Sequence, residues 1–74
     1  MEVEQQKFLE KFEEYLEIKE GTILLTTEFK SLSEWDSLGL LTLMSMLEDE
    51  YNTQINRKQL DEINTILELF NLTK

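Results

Sequence analysis

Along most of this chain the apolar residues recur at a helical period, and nowhere does strand-like alternation compete with it. Between Gln5 and Glu17, Phe8, Leu9, Phe12, Tyr15 and Leu16 follow the i, i+1, i+4, i+7, i+8 spacing of an amphipathic helix. Glu10, Lys11, Glu13, Glu14 and Glu17 then form its solvated face, and Gly21 marks where it has stopped. A second helix starts at Trp35-Asp36-Ser37-Leu38-Gly39-Leu40, with Asp36 as N-cap and Trp35 and Leu40 at the N′ and N4 spacing of a hydrophobic staple. At about 100° per residue, Leu40, Leu43, Met44, Leu47 and Tyr51 share one arc and face the core. Asn52 suits a left-handed C-cap, so this helix runs Ser37 to Tyr51.

Asn56-x-x-Gln59 and Thr65-x-x-Glu68 both have the capping-box spacing. They predict a short helix near Arg57–Glu62 and another near Ile66–Leu72, burying Leu60, Ile63, Ile66, Leu69 and Phe70. Thr22 to Glu34 has no sustained period and reads as a long loop, which Ile23, Leu24, Leu25, Phe29 and Leu32 should hold down on the core. The expectation is an all-α bundle of three longer helices and one short one, forming a single domain over residues 1–74.

At 74 residues such a chain buries only ~60% of its unfolded surface. It has no Cys and no His, which excludes a thiol nucleophile, a Ser–His–Asp triad and the usual zinc ligand sets. Seven Lys and Arg stand against sixteen Asp and Glu, so nucleic acid is a poor partner and proteins with basic patches are better ones. Met1-Glu2-Val3-Glu4 lacks the basic-then-apolar order of a signal peptide, and no apolar run approaches the ~20 residues of a membrane span. A monomeric cytoplasmic protein that is not an enzyme, with no membrane partner and no metal, is the expectation.

Ser37 falls at the first helical position, where Asp36 already does the capping and the hydroxyl is left over. A helix N-terminus favours an attached anion, although serine is also common there for purely local reasons. The outer face of this helix carries Leu38, Leu41, Thr42, Ser45 and Asp49, with Met46 at its margin. Leu38 and Leu41 beside Ser37 make either a docking patch or an apolar pair covered by the loop. Glu48-Asp49-Glu50 lies in the last turn, where the helix dipole disfavours negative charge; it is either a solvated face or a surface for a basic partner.

Asp36-Ser37-Leu38 at a helix start, a Leu- and Met-rich segment ending Leu47-Glu48-Asp49-Glu50-Tyr51, and the Thr26–Phe29 loop segment resemble the acyl carrier protein family. The resemblance extends through Ile55, Leu60 and Ile63 to the helix capped by Thr65, covering roughly Phe8 to Phe70. It implies a four-helix acyl-carrier-like bundle in which Ser37 receives 4′-phosphopantetheine from coenzyme A through a phosphopantetheinyl transferase. It further implies that the arm's thiol carries acyl or aminoacyl groups as thioesters between activating and transferring enzymes with basic patches. Asp36, Leu38, Leu41, Thr42, Ser45 and Asp49 become the implied partner interface. Gly39 and Thr42 depart from the acidic residues usual in fatty-acid-synthesis carriers, and Trp-Asp-Ser-Leu resembles specialised carriers serving a dedicated activating enzyme. Gly39 costs about 1 kcal/mol of helix propensity, for which close approach of the arm or a partner is one reason. Leu43, Met44, Met46 and Leu47 are either ordinary core or the lining of an acyl pocket. An acidic helical adaptor without a prosthetic group is the alternative function.

Overall fold

The computed structural model describes residues 3–74. Four helices follow one another: α1 (Val3–Tyr15), α2 (Ser37–Tyr51), α3 (Arg57–Asp61) and α4 (Ile66–Asn71), with one 3-10 turn at Phe29–Ser31 inside the α1–α2 loop. The architecture is the small all-α bundle that the periodicity predicts. Helix lengths differ from expectation, because α4 has six residues and α3 five, against thirteen and fifteen for α1 and α2. Two helices are long and two short. In α4 the two free N–H groups of the first turn are taken by the α1–α2 loop, which fixes its start: Ile66 donates to the Thr27 carbonyl at 3.1 Å and Leu67 to the Leu25 carbonyl at 2.9 Å.

The helix ends follow from local chemistry. Both predicted capping boxes form, with Asn56 and Gln59 reciprocally bonded at α3 and Thr65 and Glu68 at α4. Asn52 adopts the left-handed conformation at φ 50° and closes α2 as expected. The end of α1 is different. Glu17 takes the left-handed position (φ 56°), Ile18 N–H reaches the Glu13 carbonyl at 2.8 Å, and Glu17 N–H reaches that of Glu14 at 3.4 Å. That is a Schellman ending built on a glutamate, with Ile18 buried behind it. Gly21 also has a positive φ of 81°, but it serves the next turn and not the helix end.

Phe8, Phe12, Phe29, Leu43, Met46, Leu47, Ile66 and Leu69 are fully buried. Phe8 meets Tyr51 and Phe70 at centroid distances of 5.2 and 5.4 Å, while Phe29 packs edge-on against Trp35 at 5.2 Å and Phe12 at 6.2 Å. Burying one such side chain contributes about 1.5–3 kcal/mol, so a handful of aromatics decides whether this small bundle folds.

Three sequence expectations are corrected here. Met46, placed at the margin of the outer face, is fully buried, and the seam α2 buries is Gly39, Leu43, Met46 and Leu47, with Leu40, Met44 and Tyr51 half-buried at its edge. Glu13, assigned to the solvated face of α1, is only 6% exposed, and its carboxylate accepts from the backbone N–H groups of Thr22 (3.1 Å) and Ile23 (3.4 Å). It holds the start of the long loop against α1. That loop does pack on the core through Ile23 and Phe29, and partly through Leu25 and Leu32, but Leu24 stays exposed.

Candidate functional site

The first turn of α2 presents the residue types that the sequence singled out. Asp36 is extended (φ −153°) and its Oδ1 accepts from the Gly39 N–H at 2.7 Å, while its carbonyl accepts from Leu40 N–H at 2.9 Å. Capping is thereby complete without Ser37. Among the described residues no side chain or carbonyl pairs with the Ser37 hydroxyl, and the N–H groups of Ser37 and Leu38 are left to solvent. An exposed hydroxyl thus stands at the positive end of a fifteen-residue helix.

Leu38 and Leu41 are 71% and 61% exposed, so no loop residue covers them. Ser45 and Asp49 continue the same exposed face, and Thr42 is half-buried at its edge. The outer face of α2 therefore runs from apolar beside Ser37 to acidic at the far end. Part of that acidity is used internally. Glu50 accepts a hydrogen bond from the Tyr15 hydroxyl at 2.8 Å and pairs with Lys11 at 3.7 Å, tying the C-terminal end of α2 to α1. The bond to Glu50, followed by desolvation and the charge of the same carboxylate, holds the Tyr15 phenol up at about 12. Glu48 and Asp49 remain exposed.

Beside Ser37, on the α1 side, lies an open groove of about 340 Å³. Asp36, Leu38, Gly39 and Thr42 line it from α2, Leu16 and Glu17 from the end of α1. Leu16, Glu17 and Glu34 escaped the sequence reading: Leu16 and Glu17 reach the start of α2 only through the left-handed turn after α1, and Glu34 is the loop residue two before the Asp36 cap. Gly39 is packed tightly there. A Cβ there would lie 3.3 Å from the Glu34 carbonyl, 3.4 Å from Asp36 Oδ1 and 3.5 Å from Leu16 Cδ2. The close approach that explains this glycine is made by the protein itself.

A fifteen-residue helix with an exposed, unpartnered serine hydroxyl at its start, in a small all-α bundle, leaves that hydroxyl open to covalent attachment of a group. The chain matches the model of the family described as phosphopantetheine attachment site over residues 6–72, and it belongs to that family. None of the curated proteins matches it. Members of the family hold 4′-phosphopantetheine covalently, act as carriers and not as catalysts, and meet phosphopantetheinyl transferases and biosynthetic enzymes. The residues here fit that group: a free hydroxyl to bear the phosphodiester, two free backbone N–H groups and the helix dipole to favour its charge. Among the described residues, no helix is long and apolar enough to cross a membrane.

Proposed function

We propose that the chain is a single carrier domain whose Ser37 bears 4′-phosphopantetheine and which passes acyl or aminoacyl groups between partner enzymes. The observation that carries this reading is the exposed Ser37 hydroxyl at the first position of α2, released from capping by Asp36. When attached, the group supplies a terminal thiol, which a chain without cysteine does not have. The protein supplies the rest. Asp36 fixes the helix start and so the direction in which Ser37 points, and the dipole of α2 lowers the cost of a phosphodiester there.

Leu38, Leu41, Thr42, Ser45 and Asp49, with Asp36, form the surface that partner enzymes read. Its apolar end adjoins the attachment site and its charged end, Asp49, lies twelve residues, or ~18 Å, along the helix from Ser37. Partners then need an apolar patch near their active-site mouth and basic residues farther away, an arrangement that departs from an evenly acidic recognition helix. Gly39 and Thr42 leave the first turns of α2 after Ser37 without acidic side chains, which favours a specialised cytoplasmic carrier served by a dedicated activating enzyme.

Incubation with coenzyme A and a broad-specificity phosphopantetheinyl transferase is the test. Wild type should gain the mass of one phosphopantetheine group and Ser37→Ala should gain none. If several such transferases leave the wild-type mass unchanged, the acidic adaptor without a prosthetic group becomes the better reading.

A further inference from the structure

A groove lies beside Ser37, between the end of α1 and the start of α2. It reaches about 340 Å³, the lower end of the ~300–1,000 Å³ of small-molecule sites, and Ser37 stands in sequence between two of its lining residues, Asp36 and Leu38. Gly39 lines it, and a Cβ there would crowd Glu34, Asp36 and Leu16, all three of which line it too. Its chemistry is two-sided. Leu16 and Leu38 are apolar walls, whereas Glu17, Glu34 and Asp36 are carboxylates that only accept hydrogen bonds when ionised. Among the described residues no group of three acidic side chains is arranged to hold a metal ion.

We infer that this groove between the end of α1 and the start of α2 is the resting seat for the neutral stretch of the phosphopantetheine arm. The inference rests on Ser37 being the attachment residue. Carboxylates on the rim repel the phosphodiester, which stays at the α2 N-terminus, and they accept from the amide N–H and hydroxyl donors farther along the arm. The leucine walls suit the geminal methyl groups, which lie between the phosphodiester and those donors. An uncharged, amide-bearing chain satisfies both halves of the lining; an anionic cargo satisfies neither. Thr42, half-buried at the edge of the groove, serves the same seat from α2 where an acidic residue would narrow it and add charge.

The seat is tested by nuclear magnetic resonance on the isotope-labelled full chain, before and after loading with coenzyme A and a transferase, with the mass confirming one added group. Residues next to Ser37 shift on loading whatever the arm does, so Leu16 and Glu17, some twenty residues away in the chain, are the reporters. The expected result is displaced amide signals at Leu16, Glu17 and Thr42, with cross-peaks between the arm's geminal methyl protons and the Leu16 side chain. Cross-peaks to α3 side chains such as Leu60 instead, or an arm with no cross-peaks to any residue beyond Asp36–Leu38, would overturn the seat while leaving Ser37 as the attachment residue. A chain that gains no mass overturns both.

Discussion

Removing the cap at Asp36 should cost far more than its exposure suggests. The Oδ1 of Asp36 lies 2.7 Å from the Gly39 N–H, a short bond to a charged acceptor, and Gly39 is buried. Water cannot readily replace the lost partner there, so Asp36→Ala leaves a buried donor unsatisfied, for which about 1–3 kcal/mol is typical. N-cap truncations in general cost about 0.5–2 kcal/mol. The two ranges overlap at about 1–2 kcal/mol, a sizeable share of the few kcal/mol that a bundle of this size holds. Thermal unfolding followed by circular dichroism should show a drop of roughly 4–8 °C for each kcal/mol lost. Asp36→Asn keeps an acceptor oxygen and forfeits only the interaction of the charge with the helix dipole, roughly 0.3–1 kcal/mol, so its drop should be clearly smaller. Loading with phosphopantetheine measured on both variants separates the cap from the charge, because Asp36→Asn retains the helix start. Equal melting temperatures for the Ala and Asn variants would refute the assignment of Oδ1 as the group that holds this turn.

Other consequences can be measured with the same purified chain. Phe29→Ala empties a site packed by Phe12 and Trp35 and should cost about 3–5 kcal/mol, enough to abolish a cooperative urea transition. Glu17→Gly relieves a left-handed glutamate at the end of α1 and should raise the melting temperature, by about 1 kcal/mol of stability. Glu68, at the α4 capping box, has its carboxyl held below the ordinary range by backbone N–H bonds from Thr65 and Asn64. Its contribution is therefore present above the unfolded-state value and disappears as pH falls through the lowered folded value. Melting temperatures of Glu68→Gln measured across that acid range should fall less steeply with pH than those of wild type.

The features the sequence disclosed are those whose physics is local. Asp36, Asn56 and Thr65 each bond to a backbone N–H three residues on, so spacing alone locates three helix starts. Asn52 at the end of α2 is of the same kind. What escaped notice depends on how the helices meet. The buried seam of α2 begins at Gly39, which carries no side chain to count as apolar, so a hydrophobic arc drawn without it turns toward Leu40 and Met44 and leaves Met46 outside. Glu13 reads as solvent-facing until Thr22 and Ile23 bring their N–H groups back to it. Glu50 reads as surplus negative charge until α1 supplies Tyr15 and Lys11. At the site, Ser37, Asp36 and Leu38 are visible as a motif, whereas Leu16 and Glu17 line the neighbouring groove only through the α1 turn.

Family membership establishes that a prosthetic group is carried, and the residue that bears it can be located directly. Transferase-loaded protein should be digested and the modified peptide fragmented to locate the added mass. The serines at 31, 33, 37 and 45 fall close enough in the chain for one experiment to tell them apart. The whole modification should fall on Ser37 and none on Ser31, Ser33 or Ser45. Modification at any of those three, or a Ser37→Ala chain that still loads, would contradict it.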